Sequence, residues 1–380
     1  MRVCLIYDHL FPRTVGGAER WMRDLALGLA RQGHQVTYLT MRHWPPRNPP
    51  ALPGVRVLGL VTPGRVYGKE GRALLPPLRF GLAVARHLAR HGRDYDVVHT
   101  ASFPYFPLLA AGLLRRRLGY RLVVDWHEVW TRQYWCRYAG AIVGSLGWLV
   151  QRACARVPHR AFCMSRMHAR RLLEEGYRGT PLVLPGLYAG PIDPSALAQV
   201  DPNLVVYIGR HVPHKRIDLL VQAFARARAQ RPELRLEIYG NGPERPRIEA
   251  LVRELGLDSS VRVLGARPEQ EVASALSRAA CLATASEREG YGLVVVEAAA
   301  RGTPSVVVAG PENAAVELVA EGVNGAVAES ARPDDLAAAI LRVIDGGHAL
   351  RHSTARWMVD NLGRLALDRS LDLVIETYRA

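Results

Sequence analysis

Two kinds of run alternate along this chain. Short stretches are apolar throughout, and longer ones repeat apolar residues every three or four positions. RVCLIYD (2–8) leads into GGAERWMRDLALGLARQG (16–33), where Trp21, Leu25 and Leu29 fall on one helical face. QVTYLTM (35–41), VRVLGLV (55–61), a helical run at 72–92, DVVHTAS (96–102), RLVVDWHE (121–128) and RAFCMS (160–165) continue the series, and Ser165 suits the N-cap of a following helix. LVLPGLY (182–188) then meets PIDPSALAQVDPN, whose prolines mark a linker. The rhythm restarts with NLVVYIGR (203–210), a helix near 216–230, LRLEIYGNG (234–242), a helix at 243–255 and VRVLGA (261–266). A helix at 268–279, CLATAS (281–286), a helix at 291–301, PSVVV (304–308) and a last helix from about 333 complete it.

Strands that are apolar throughout and alternate with helices predict parallel sheets covered on both faces. The expected fold is therefore α/β, with two Rossmann-like domains whose parallel sheets face a cleft. The pattern divides the chain into an N-terminal Rossmann-like domain (1–186), a linker (187–202), a C-terminal Rossmann-like domain (203–360) and a C-terminal helix (361–380) that packs back on the first domain. A length of 380 residues is itself more than one core usually holds. Ligands of such sheets bind beyond the carboxyl ends of the strands, which directs the search for a site.

Composition narrows the classes. Hydrophobic residues at 49% and charged ones at 22% indicate a soluble globular chain. The apolar stretch AGAIVGSLGWLV (139–150) is too short to cross a bilayer, and the N-terminus reads as a first strand, not a secretory leader. Five scattered cysteines (4, 136, 154, 163, 281) form no disulfide framework or zinc pattern and suit the cytoplasm. The net charge of +15 is almost all arginine, Lys69 and Lys215 being the only lysines. Such a balance fits phosphate-bearing substrates, an anionic membrane surface or a merely solvated basic exterior. It also admits nucleic acid, but no nucleic-acid motif and no helix with a concentrated basic stripe appears.

Candidate chemistry gathers at the predicted strand ends. Gly16 and Gly17 stand between the first strand and a helix, where backbone N–H groups can approach an anion or simply turn the chain. His127 and His99 close strands and read either as site residues facing the cleft or as hydrogen-bonded structural histidines. GRHVPHKR (209–216) offers Arg210 and Lys215 after a strand, a planar fork beside a point charge that suits a diphosphate. In SEREGYGLVVVEAAARGTPSVVV (286–308), a helix starting near Tyr291 would leave the N–H groups of Gly290, Tyr291, Gly292 and Leu293 for phosphate oxygens. Glu289 sits in that loop. Glu297 lies in a run otherwise without polar side chains, so it needs a partner, and ribose hydroxyls are suitable. Two patterns are set aside: GNGPER (240–245) lacks the third glycine of a dinucleotide fingerprint, and the Asp94-Tyr95-Asp96 triplet precedes its strand, at the wrong end for a metal-holding role.

Together these segments resemble the family 4 retaining glycosyltransferases of GT-B fold, over nearly the whole chain. EGYGLVVVEAAARGTPSVV is similar to the family's E-x7-E segment, GRHVPHKRID to its GRxxxxKxxD element, GNGPERPRIEAL to its GxGPxxxxLxxL and VGGAER to its N-terminal glycine loop. The resemblance implies a nucleotide diphospho-sugar donor, UDP- or GDP-linked, and transfer with retention, no metal and no cofactor. It implies Arg210 and Lys215 on the diphosphate, Glu297 on the ribose, Glu289 on the sugar with the amides of Gly290 to Leu293 nearby, His127 near the reacting sugar, and Gly16 and Gly17 approaching the donor phosphates. Pro185-Gly186 stands where the family has Asn-Gly, Tyr291 replaces a Phe, and Glu287 adds a second acid beside Glu289. A nucleotide-sugar 2-epimerase of the same fold is the alternative. For the acceptor, the tryptophans, arginines and apolar run of 126–152 fit either a membrane interface with a lipid-linked glycan, or core and domain packing.

Overall fold

The computed structural model describes residues 1–14, 16–45, 47–48, 50–63, 67–68, 71–72, 75–192 and 200–380. Lys69, Val15 of the glycine loop, residues 73–74 of the predicted helical run and residues 193–199 of the predicted linker lie outside them. The chain divides into one unit of residues 1–187 with 368–380 and another of residues 188–367.

The first unit is built on a parallel sheet. In chain order come β1 (Arg2–Ile6), α1 (Gly17–Arg31), β2 (Gln35–Met41), β3 (Val55–Val61) and a short antiparallel pair, β4 (Tyr67–Gly68) and β5 (Gly71–Arg72). Then follow α2 (Leu75–His91), β6 (Val97–Ala101), α3 (Tyr105–Leu118), β7 (Arg121–Trp126), α4 (Arg132–Ala139), α5 (Ala141–Arg156), β8 (Arg160–Cys163), α6 (Arg166–Glu174) and β9 (Leu182–Val183). The sheet order is β3-β2-β1-β6-β7-β8-β9, so the direction of winding reverses at β1. Leu5 lies beside Tyr38 on one side and His99 on the other. Strands this enclosed can be apolar on both faces, which is why the sequence shows runs and not alternation. Ser165 caps α6 as expected, its side chain accepting from the His168 amide.

The second unit repeats the plan with β10 (Asp201–Ile208), α7 (Ile217–Gln230), β11 (Arg235–Tyr239), α8 (Arg245–Glu254), β12 (Val261–Gly265), α9 (Glu269–Arg278), β13 (Ala279–Ala283), α10 (Leu293–Ala299), β14 (Ser305–Val308), β15 (Gly325–Ala328) and α11 (Pro333–Leu365). Its order, β12-β11-β10-β13-β14-β15, reverses at β10. Leu220, Val221 and Phe224 of α7 and Leu336, Ile340 and Val343 of α11 cover one face of this sheet. The final helix, α12 (Leu367–Arg379), lies almost wholly in the first unit.

The boundaries depart from the predicted ones in three places. Helix α11 continues past residue 360 to Leu365, with a kink at Gly347 (φ 48°), so the change of unit falls after residue 367. Tyr188, placed in the linker by its neighbouring prolines, is buried in the second unit and pairs with Ala366. Strand β10 begins two residues early, at Asp201, and Leu182–Val183 is all of LVLPGLY that is strand.

Candidate active site

In the second unit the reversal of winding parts the loops that follow β10 and β13, and a parallel sheet places its ligand crevice at such a point. These loops carry the predicted residues, and the structure joins them. Lys215 Nζ donates to Glu289 Oε1, a contact spanning 74 residues of sequence, with both side chains mostly buried. One loop backbone also docks on the other, the Glu287 amide donating to the His214 carbonyl at 2.9 Å. Arg210 is exposed at the end of β10, and its carbonyl accepts from the Tyr207 hydroxyl at 3.3 Å. Burial raises the Tyr207 pKa well above 10.0; the charge of Glu289 raises it further and that of Arg210 opposes, so this hydroxyl senses both residues.

The loop after β13 is fixed by a residue that the sequence reading missed. Asn313, fully buried, donates its amide to the carbonyls of Ser286 (3.1 Å) and Val308 (2.9 Å) while its oxygen accepts from the Ala315 amide. Beside it the Glu289 amide donates to the Glu312 carbonyl, and the Ala314 amide to that of Glu289. Glu289 is thereby clamped on both sides of its backbone. An asparagine shortly after a strand, in PEN (311–313), was the available signal, but its partners lie in other segments.

GNGPER, set aside as a failed fingerprint, has a structural reason for its glycines. A Cβ on Gly240 would stand 1.9 Å from the Gly209 carbonyl oxygen, and one on Gly242 2.3 Å from that of His211. Only bare backbone can pass so close. The His211 amide donates to Asn241 and the Glu244 amide to His211, so the loop after β11 braces the segment leading to Lys215.

Helix α10 begins at Leu293, two residues later than predicted, because Gly292 at φ +99° sits against Ala315 and ends the loop. The amide of Leu293 belongs to the first turn, whose N–H groups have no carbonyl one turn back; those of Gly290 and Tyr291 precede the helix. Glu297 is half-buried and is not the isolated carboxylate its apolar run suggests. Burial raises the Tyr188 pKa, and the charge of Glu297 acts on it in the same direction, while Arg301 opposes. Arg301 also donates to the Glu297 carbonyl at 2.9 Å.

In the first unit Gly16 is the N-cap of α1 and Gly17 its first residue; a Cβ on Gly17 would meet nothing within 4 Å. Strand β7 ends at Trp126, so His127 stands just beyond it, its ring 6.0 Å from that of Tyr7. Among the described residues its Nε2 is buried without a hydrogen-bond partner. Burial lowers its pKa from 6.5, against the opposing charges of Asp125, Glu19 and Glu128, which leaves the imidazole neutral at pH 7. His99 proves to be structural. It is fully buried, with Nε2 2.8 Å from Asp125 Oδ1 and Nδ1 2.5 Å from the Tyr378 hydroxyl. Trp21 Nε1 donates to Asp125 Oδ2 at 2.6 Å. Burial raises the Asp125 pKa, but His99 and the other partners outweigh it, and the carboxyl stays ionised. Asp96 of the Asp-Tyr-Asp triplet receives the amide and guanidinium of Arg2, at the N-terminal end of β6.

Comparison with known proteins places these features in context. Residues 16–186 match the profile of the glycosyl transferase 4-like domain and residues 191–356 that of glycosyl transferases group 1. The chain is 30% identical to the MMP alpha-(1->4)-mannosyltransferase of Mycolicibacterium hassiacum, over 92% of this chain and 91% of that protein. It is 28% identical to the D-inositol 3-phosphate glycosyltransferase of Segniliparus rotundus, over 100% and 89%. Against some other curated relatives it spans half of their length or less. Among solved structures, Anabaena HepE in complex with UDP and glucose superposes with a TM-score of 0.75 at 19% identity, covering 100% of both chains.

Proposed function

The chain belongs to the family 4-like glycosyltransferases of GT-B fold, and on that premise we propose that it transfers a sugar, with retention and without a metal ion, from a UDP- or GDP-sugar to a lipid-linked or cell-envelope glycan acceptor at the inner face of the membrane. The observation that carries the donor assignment is the Lys215–Glu289 pair, held at the switch point of the second sheet with Arg210 beside it. The UDP bound in HepE supports a nucleotide-sugar donor, and the mannosyltransferase and inositol phosphate glycosyltransferase relatives support sugar transfer.

In this reading departure of the nucleoside diphosphate is the step that builds charge. Arg210 and Lys215 meet that charge with fixed cations, worth more in a partly dehydrated site than in water. Glu289 has two tasks: one carboxylate oxygen holds Lys215 in place, and the other accepts from sugar hydroxyls. The amides of Gly290, Tyr291, Gly292 and Leu293 add donors, and Glu297 takes the ribose hydroxyls from within α10. Within the first unit, neutral His127 has a buried ring nitrogen, Nε2, suited to a ligand hydroxyl, and Gly17 leaves open space at the start of α1, whereas Gly16 is crowded by the Glu19 carboxylate.

Incubation with UDP- and GDP-sugars, with and without a glycan acceptor, tests the reading. The expected result is a product of unchanged anomeric configuration, formed only with acceptor. Sugar conversion without acceptor would identify a 2-epimerase, and an inverted product would refute retention.

A further inference from the structure

Large apolar side chains exposed to solvent are unevenly distributed. On α5 Ile142, Val143, Leu146 and Leu149 are all exposed, between 48% and 79%, and recur at helical spacing along one face. Leu113 of α3 is 83% exposed. Leu75, Leu78 and Leu82 continue the pattern on α2. These helices lie side by side, α2 against α3 and α3 against α5, over one face of the first sheet. Their inner residues, among them Phe80, Val84, Leu108 and Cys154, fill the core, so the exposed aliphatic side chains form a second, outward apolar face. A monomeric surface rarely leaves so much contiguous apolar area uncovered.

The charge on the same layer has one sign. Helices α2, α3, α4 and α5 contain no aspartate or glutamate, and apart from histidine every ionisable basic residue on them is an arginine. Arg116 and Arg117 flank Leu113 at the next turn, and Arg86 follows Leu82 on its stripe. On α4 Arg137 lies over the Tyr134 ring at 5.2 Å, and Arg132 over Trp148 at 5.5 Å. Among the described residues, Glu175 reaches this layer and is engaged by Arg152 and Trp148, while Asp94 lies 3.4 Å from His91 at the C-terminal end of α2.

We infer that the outer face of α2, α3 and α5 is a docking surface for an anionic phospholipid bilayer. Leucine and isoleucine side chains enter the acyl boundary while arginines and ring-bearing side chains meet phosphates at headgroup depth. Charge decides among the occupants. A second copy of the chain would bring arginine against arginine across a two-fold interface, with no acid on α2, α3 or α5 to relieve it. A nucleic acid would pair with the arginines and strand the leucines in water. Among the described residues no helix is long and apolar enough to span a membrane, so the contact is with the surface. The inference deepens the proposed function, resting on it for the class of acceptor.

Sedimentation with vesicles of equimolar phosphatidylglycerol and phosphatidylcholine tests this with the full chain. Wild type is expected to bind these and to leave pure phosphatidylcholine vesicles largely unbound. Leu146→Asp with Leu149→Asp, both on exposed positions, lowers the partition coefficient roughly tenfold or more, and Arg116→Glu with Arg117→Glu does the same at low salt. Unchanged partitioning of both variants overturns the inference, as does equal binding to neutral vesicles. Capture of RNA in preference to vesicles, or a dimer abolished by the leucine variants, also overturns it. UDP and GDP thermal shifts on the same proteins read the donor site separately. A missing shift with intact vesicle binding counts against the catalytic reading; a normal shift without vesicle binding counts against the docking surface.

Discussion

The two units share a topology and use its switch point differently. In the second, the loops after β10, β11 and β13 converge on a partly open ion pair, Lys215–Glu289, with an exposed arginine beside it. In the first, the elements around the reversal close over a carboxylate: Asp125 is buried among Trp21 of α1, His99 of β6 and Tyr378, reached through His99. In the proposed reading one acid meets a ligand; the other is a structural tie that also fastens the last helix to its unit. The difference teaches that a strand-end position marks where a site can form, while burial and partners decide whether it does.

Substitutions should separate the two acids. Asp125→Ala removes the partner of a buried network and is expected to cost about 4 kcal/mol of stability in urea unfolding. Glu289→Ala, on a pair with some exposure, should cost about 1 kcal/mol, yet lower kcat/KM roughly a hundredfold or more. Equal stability losses would erase the distinction. Gly240→Ala, whose Cβ would collide with the Gly209 carbonyl, should destabilise the second unit by about 3 kcal/mol and weaken nucleotide binding by displacing the loop before Lys215.

Acid should act on the first unit. His159 accepts from Trp126 Nε1 at 3.0 Å, and burial lowers its pKa from 6.5 to about 4. As pH falls the unfolded chain takes up this proton first. The stability tied to the neutral ring is whole above pH 6.5, is lost as pH falls towards about 4 and declines no further below. The loss is at most about 3 kcal/mol, and His159→Gln should flatten that part of the profile in pH-dependent urea unfolding. The smallest change expected is Glu287→Gln. The backbone of Glu287 docks the loop on His214, and glutamine keeps that backbone contact, so kcat/KM should move less than about threefold.

Much of the fold was legible because enclosed parallel strands write themselves as apolar runs and their helices as three-to-four repeats. Strand β15, Gly325–Ala328, was not, since GAVA is short and small-chained and becomes a strand only by pairing with β14. Helix boundaries slipped where glycine geometry decides them, as at Gly292. The candidate site residues were legible as types: Arg210, Lys215, Glu289 and Glu297 stand out at strand ends or in apolar surroundings. Their pairing was not. Lys215 and Glu289 meet across 74 residues, and Asn313 and the close approach of Gly240 and Gly242 to the 209–211 backbone are properties of tertiary contact.

Central to the account is that Lys215, steadied by Glu289, receives the diphosphate of the donor. Titration calorimetry of UDP and GDP into wild type and Lys215→Ala tests this most directly. The account predicts that one of the two nucleotides binds wild type and that the variant, with unchanged circular dichroism, binds it at least roughly tenfold more weakly. Equal affinity in the folded variant would contradict it.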